Sequence, residues 1–281
     1  MQQALSNENL RSIAPAIFAD HAHEQVSDKY QFIPTIDIVE GMRREGWMPV
    51  KAQEQRCNKA DRRGFQKHEI RFRQATDIQR VSDLITRTNH NVDRAKPLAE
   101  FPEIVLTNSH DRGSAYQLHA GIFRLICTNG LVVADGTFNH ISIMHMFCDP
   151  AAVINASFKI LSETPKVMDD IEMMKTKRLT TEQAKAFAEA ALILKYDDVA
   201  AAPVGAAKLL EARRTEDRQP DVWSTFNVLQ ENLVNGGQKD WSKRRENGKR
   251  FTKTRGVAAI DENIKLNKAL WHLSKTIAVA V

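Results

Sequence analysis

The sequence predicts an α+β fold, with a mixed or antiparallel sheet and a packed helix in the N-terminal part and a helical C-terminal part. Three observations predict it. Residues 67–73 alternate, with Lys67, Glu69, Arg71 and Arg73 on one side and His68, Ile70 and Phe72 on the other, the period of a strand. Residues 103–108 form a short apolar run of strand length,. From Pro150 onward apolar residues recur at helical spacing to the end of the chain,. The expected division is 1–148, sheet-containing, and 149–281, helical and packed on it, an arrangement equally compatible with one continuous domain.

Taken in order, 29–34 reads as a short strand. Thr35 then caps a helix that carries Ile38, Val39 and Met42 on one face, and Gly46 ends it. Strand pattern resumes over 47–57, where Met48, Val50 and Ala52 alternate and Pro49 marks an edge or bulge. A turn over 58–65 joins it to 67–73 as a basic hairpin. The polar stretch 74–100 takes no assignment. After the 103–108 strand, Ser109, His110, Asp111, Arg112, Gly113 and Ser114 are turn chemistry. Residues 116–133 are apolar around Thr128, Asn129 and Gly130, and two readings stay open: paired strands with an Asn-Gly turn, or a helix capped there. Residues 140–146 alternate as a strand.

Asp149 followed by Pro150 begins the helical part. Thr180 to Gln183 resembles a capping box ahead of Ala184, Phe187, Ala188, Ala191 and Leu194. Pro220 opens a helix that turns Val222, Trp223, Phe226, Leu229 and Leu233 inward and stops at Gly236 and Gly237. The last helix starts near Asp261, with Ile264, Leu270, Leu273 and Ile277 at helical spacing.

At 281 residues, 42% hydrophobic and 27% charged, the chain has the composition of a soluble globular protein. It lacks an apolar run long enough to cross a bilayer, and its first residues lack the charged and apolar regions of a signal peptide. Cys57, Cys127 and Cys148 are odd in number and widely spaced, the pattern of reduced thiols. A cytoplasmic, non-membrane protein is expected.

The net charge of +5 is unevenly placed. Residues 43–73 carry ten Lys and Arg against four acids, and residues 239–255 carry eight against two. Two segments of +6 leave the rest of the chain at −7, a directed electrostatic surface.

Several segments are distinctive: 102–111 (PEIVLTNSHD), 123–131 (FRLICTNGL), 223–233 (WSTFNVLQENL) and 264–271 (IKLNKALW). In these the chain resembles a domain-of-unknown-function family of phage- and plasmid-borne proteins, typified by the YfjQ and YafZ prophage proteins. The resemblance covers nearly the whole chain in order. It implies origin in a bacterial mobile element and brings no catalytic residues.

The chemistry-bearing groupings point away from catalysis. Ser109, His110 and Asp111 are contiguous, whereas triad members converge from separate elements. A turn held by side-chain bonds is the plainer reading, with phosphate contact through Arg112 as the functional alternative. His110, His119, His140 and His145, with Asp111 and Cys148, match no metal-ligand spacing. Neither a P-loop nor a dinucleotide fingerprint is present, and Cys127 sits in an apolar run. No metal or cofactor is expected.

The basic segments carry the strongest functional signal. Lys243, Arg244, Arg245, Lys249, Arg250, Lys253 and Arg255 supply cations for phosphates, and Trp241 and Phe251 supply flat faces for unpaired bases. Arg62, Arg63, Lys67, Arg71 and Arg73 of the hairpin add a second basic face. The expected function is a non-enzymatic nucleic-acid-binding protein, with single-stranded DNA favoured and recombination annealing as a fold-level analogy. An anti-defence or regulatory factor that binds a host protein is the alternative, with the acidic body as its contact face. A metal-dependent nuclease or hydrolase is the third reading. The sequence leaves homo-oligomerisation and the choice of DNA or RNA open.

Overall fold

The computed structural model describes residues 3–26, 32–89, 100–111, 113–114, 116–125, 131–133, 141–143, 150–196, 199–200, 202–242 and 253–281, without the side chains of 86–89 and 143. It is an α+β protein whose chain divides into two compact units, residues 1–164 and 165–281. The division lies one helix beyond the expected residue 148.

In the first unit, α1 (Asn7–Ile13) and α2 (Thr35–Arg44) precede an antiparallel sheet of β1 (Trp47–Glu54), β2 (His68–Gln74), β3 (Glu100–Asn108), β4 (Tyr116–Arg124), β5 (Leu131–Val132) and β6 (Ile141–Ile143). The order is β1-β2-β3-β4-β5, and β6 also pairs with β4. β6 takes the Tyr116–Leu118 stretch of β4's outer edge and β5 takes Gly121 and Ile122. Helix α3 (Ala75–Asn89) follows β2, and α4 (Pro150–Ser162) closes the unit.

One sheet face carries Ile70, Phe72, Ile104, Leu106, Tyr116 and Leu118 and buries them against Leu10, Ile38, Met42, Val153 and Ile160 of α1, α2 and α4. The hydrophobic effect therefore holds three helices on that face. The opposite face is buried too: β2 is enclosed from His68 to Arg73. At its far end Phe101 and Phe123 pack with Val81 of α3.

Several expectations meet corrections here. Residues 32–34 are without regular structure, and 29–31 lie outside the described residues. Helix α2 begins at Thr35, but its N-cap is Pro34 and no side chain caps it. Strand β1 has its irregularity between Pro49 and Lys51, where the proline cannot supply a ladder donor. The 75–89 stretch is the helix α3, and 116–124 is strand.

In the second unit α5 (Thr164–Thr176), α6 (Thr181–Tyr196), α7 (Ala206–Leu209), α8 (Val222–Asn235) and α9 (Ile260–Ala280) follow in turn. The capping box ahead of α6 forms: Gln183 N–H donates to Thr180 Oγ1 at 3.2 Å, and Thr180 N–H donates to Gln183 Oε1 at 2.8 Å. Asp221 caps α8 by accepting from Ser224 N–H at 2.7 Å. Helix α8 is buried on every side from Val222 to Leu233, so it is the axis of the unit. Trp223, Phe226 and Trp271 form its aromatic centre, with ring centroids 5.4–6.3 Å apart. Among the described residues no helix is long and apolar enough to cross a membrane.

Candidate nucleic-acid interface

Helix α8 stops at Gly236, whose φ of +64° and ψ of −147° suit only a residue without a side chain,. A Cβ there would stand 2.6 Å from both Arg255 C and Gly256 N. That close approach lets the chain leave at Gln238 and return at Thr254 across a closed neck. Gly237 N–H donates to Thr254 O at 2.8 Å, Thr254 N–H to Gln238 O at 2.8 Å, and Val257 N–H to Val234 O at 2.8 Å. The buried Thr254 hydroxyl accepts from Gln238 N–H at 3.0 Å. Lys195 of α6 braces both sides, its ammonium donating to Leu233 O at 2.6 Å and Arg255 O at 2.7 Å. Burial pushes its pKa down to about 8,.

The basic segment of the sequence is what this neck carries. Lys253 and Arg255 are exposed on its returning side. Lys243, Arg244, Arg245, Lys249, Arg250 and Phe251 lie outside the described residues. On the outgoing side Asp240 is fixed, accepting from Gly205 N–H at 2.8 Å and from Ser242 N–H at 3.0 Å. It holds Lys239 and Trp241 on either side of it. Trp241 is 65% exposed, whereas Trp47, Trp223 and Trp271 are at most 2% exposed. The Lys239 ammonium stands 5.7 Å from the Trp241 ring centroid, within reach of its π-face.

The hairpin residues are placed differently. Arg63 is exposed and Arg62 is half-buried, 3.9 Å from Asp111. Lys67, Arg71 and Arg73 are buried, so the solvated basic strand face implied by alternation is not built. Arg71 donates to Glu69 at 3.1 Å and to Glu103 at 3.4 Å, and Arg73 to Glu103 at 2.6 Å. The Arg73 guanidinium also stacks 3.6 Å from the Phe123 centroid. Burial works against the charge on Arg71, but Glu69 and Glu103 together hold its pKa above the ordinary value. Four enclosed charges neutralise one another in a ladder, leaving Arg71 and Arg73 no free face for phosphate. The sequence signal was present in Glu69 and Glu103, but their register appears only in the paired strands.

In the stretch 109–114, whose Arg112 lies outside the described residues, Gly113 N–H donates to Asp111 Oδ1 at 2.9 Å. His110 points into the core, within 3.1 Å of Thr35 Oγ1. His68 reaches the same oxygen at 2.9 Å, and Asn108 Nδ2 donates to it at 3.1 Å. The proton positions follow from what each partner can accept. His68 Nδ1 lies 3.1 Å from Gln66 O, so Nδ1 carries the proton and Nε2 accepts from the Thr35 hydroxyl. Thr35 Oγ1 then accepts from Asn108 and from His110 Nε2–H. Burial pushes His68 down to about 4, against weaker upward pulls from Gln66 and Asp111. Thr35, His68, Asn108 and His110 are all fully enclosed, so this knot fastens α2 to β2 and β3 and is closed to a substrate.

Among the described residues no three His, Cys, Asp or Glu side chains converge to hold a metal. Cys127, His140, His145 and Cys148 lie outside them. A cleft of about 610 Å³ between the start of α6 and the loop before α8 is walled by residues such as Leu179, Leu210 and Pro220. Its Asp217 is already paired with Arg214 at 3.1 Å.

A family model described as "Domain of unknown function (DUF932)" matches residues 22–271. The chain is similar to the UPF0380 protein YfjQ of Escherichia coli (strain K12), 34% identical over 273 residues that cover 97% of this chain and 91% of the relative. It is likewise similar to the UPF0380 protein YafZ of the same organism, at 33% identity with the same coverage. No solved structure matches significantly.

Proposed function

The chain belongs to the DUF932 family, and on that premise we propose that it is a non-enzymatic nucleic-acid-binding protein of a phage or plasmid, with single-stranded DNA as its favoured ligand. The mobile-element part rests on the resemblance of segments such as 223–233 and 264–271. One observation carries the binding part: Trp241 is the exposed tryptophan, stands beside Lys239, and opens a segment of net charge +6 on a closed neck. Cations recognise phosphates irrespective of sequence, and an exposed indole offers the π-face that unpaired bases need. The interface is narrower than the sequence alone implies, because Arg71 and Arg73 are spent inside the first unit.

The test is a salt titration of binding to single- and double-stranded DNA and RNA. Affinity should fall steeply with salt, since each phosphate contact releases a counterion. Replacing Arg244, Arg245, Lys249 and Arg250 together by Gln should reduce the slope of log K against log salt by up to about 3, with the circular dichroism spectrum unchanged. An unchanged slope in the folded variant clears this segment of the role. Failure of the parent to bind at low salt refutes the nucleic-acid reading.

A further inference from the structure

The neck and the end of α8 enclose an open pocket of about 490 Å³, whose lining includes Lys208, Arg213, Gly237, Gln238, Lys239 and Trp241. We infer that this pocket receives a single unpaired nucleobase stacked on Trp241, an assignment that rests on the nucleic-acid reading of the same loop. The volume falls in the range of about 300–1,000 Å³ typical of sites that enclose a small molecule. A base inside a duplex has both faces covered, so only an unpaired base has a face to offer the indole.

The walls are set before any ligand arrives. Arg213 donates to Asn232 Oδ1 at 2.7 Å and to Gly236 O at 2.5 Å, and Lys208 pairs with Glu211 at 2.6 Å. Gln238 is fixed by donating through Nε2 to Lys208 O at 2.9 Å. Among the described residues a Cβ at Gly237 would meet nothing within 4 Å, so they leave that approach open. The chain next to Trp241 is held by Asp240, which accepts from Gly205 N–H. A base in the pocket leaves its phosphate at the rim, where Lys239 is exposed.

The same chemistry is carried by a strand and by a free nucleotide, and the tryptophans allow the two to be separated. Because Trp241 alone of the four is exposed, quenching by acrylamide reports on it. Three probes are compared at low salt: a dA oligonucleotide, an abasic oligonucleotide of equal length, and adenosine 5′-monophosphate. The dA strand should bind and protect Trp241, and the abasic strand should bind without protecting it. Trp241→Ala should weaken the dA strand about 5- to 150-fold, the equivalent of about 1–3 kcal/mol, and Trp241→Phe should keep most of the affinity. Equal protection by the abasic strand, or full affinity in Trp241→Ala, overturns the base pocket and leaves nucleic-acid binding standing. Protection by the mononucleotide with no binding of either strand keeps the pocket and refutes the polymer reading. Binding of none of the three overturns both.

Discussion

Acidification should loosen the first unit through His68. Its ring is fully enclosed, donates through Nδ1 to Gln66 O and accepts the Thr35 hydroxyl at Nε2. A second proton at Nε2 would face that hydroxyl head-on, at the positive end of α2, which begins at Thr35,. Burial accordingly pushes the pKa from 6.5 to about 4. The folded state then binds fewer protons than the unfolded chain between those two values. The contribution is complete above pH 6.5, is lost as pH falls through the window, and is gone below pH 4. At about 1.36 kcal/mol per pH unit the drop corresponds to about 3 kcal/mol. The assay is urea unfolding followed by circular dichroism from about pH 7.5 to about pH 4, in the parent and in His68→Gln. The variant loses stability at neutral pH by misfit, but its profile should be flatter than the parent's across the window by about 3 kcal/mol. Parallel profiles would refute both the tautomer assignment and the linkage drawn from it.

Two further outcomes follow from the packing. Glu103→Gln leaves Arg71 and Arg73 enclosed with one carboxylate between them, and should cost about 3–5 kcal/mol in thermal unfolding; a loss under about 1 kcal/mol would mean the ladder is not the dry network its burial implies. Gly236→Ala places a Cβ 2.6 Å from the returning backbone at a φ of +64°, a strain of at least about 1–2 kcal/mol. It should lower the melting temperature and speed proteolytic cleavage between Gln238 and Thr254, and unchanged values of both would show that the neck does not depend on that approach.

The elements legible in the sequence are those whose signal is local. The Thr180–Gln183 capping box, the alternation of β2 and the stop at Gly236 need only neighbours a few residues away, and each is found where the spacing puts it. Helix α3 escaped because its buried position Val81 packs with Phe101 and Phe123, partners the chain supplies later. Thr35 shows the limit for side chains. A hydroxyl ahead of an amphipathic run is a cap by local rules, but here His68, Asn108 and His110 compete for it and win,. Arg71 and Arg73 show the same limit for charge, since alternation sorts residues onto faces without saying which faces stay wet. At the candidate interface Trp241 and Lys253 were legible by composition. The pocket that Trp241 lines was not, because Lys208 of α7 and Arg213 beyond it come from some thirty residues earlier in the chain.

The neck at Gly236 and Thr254 has a consequence for how such a protein can vary over generations. Hydrogen bonds between Gly237 and Thr254, Thr254 and Gln238, and Val257 and Val234 tie the end of α8 to the chain that leads into α9, independently of what lies between Ser242 and Lys253. Doubling the length of a closed flexible loop costs only about 0.6 kcal/mol, a small part of a domain's total stability of about 5–15 kcal/mol. Insertions, deletions and replacement between Ser242 and Lys253 can therefore accumulate while α8 and α9 stay in register. On the proposed nucleic-acid reading, ligand preference can drift quickly on a scaffold that hardly notices.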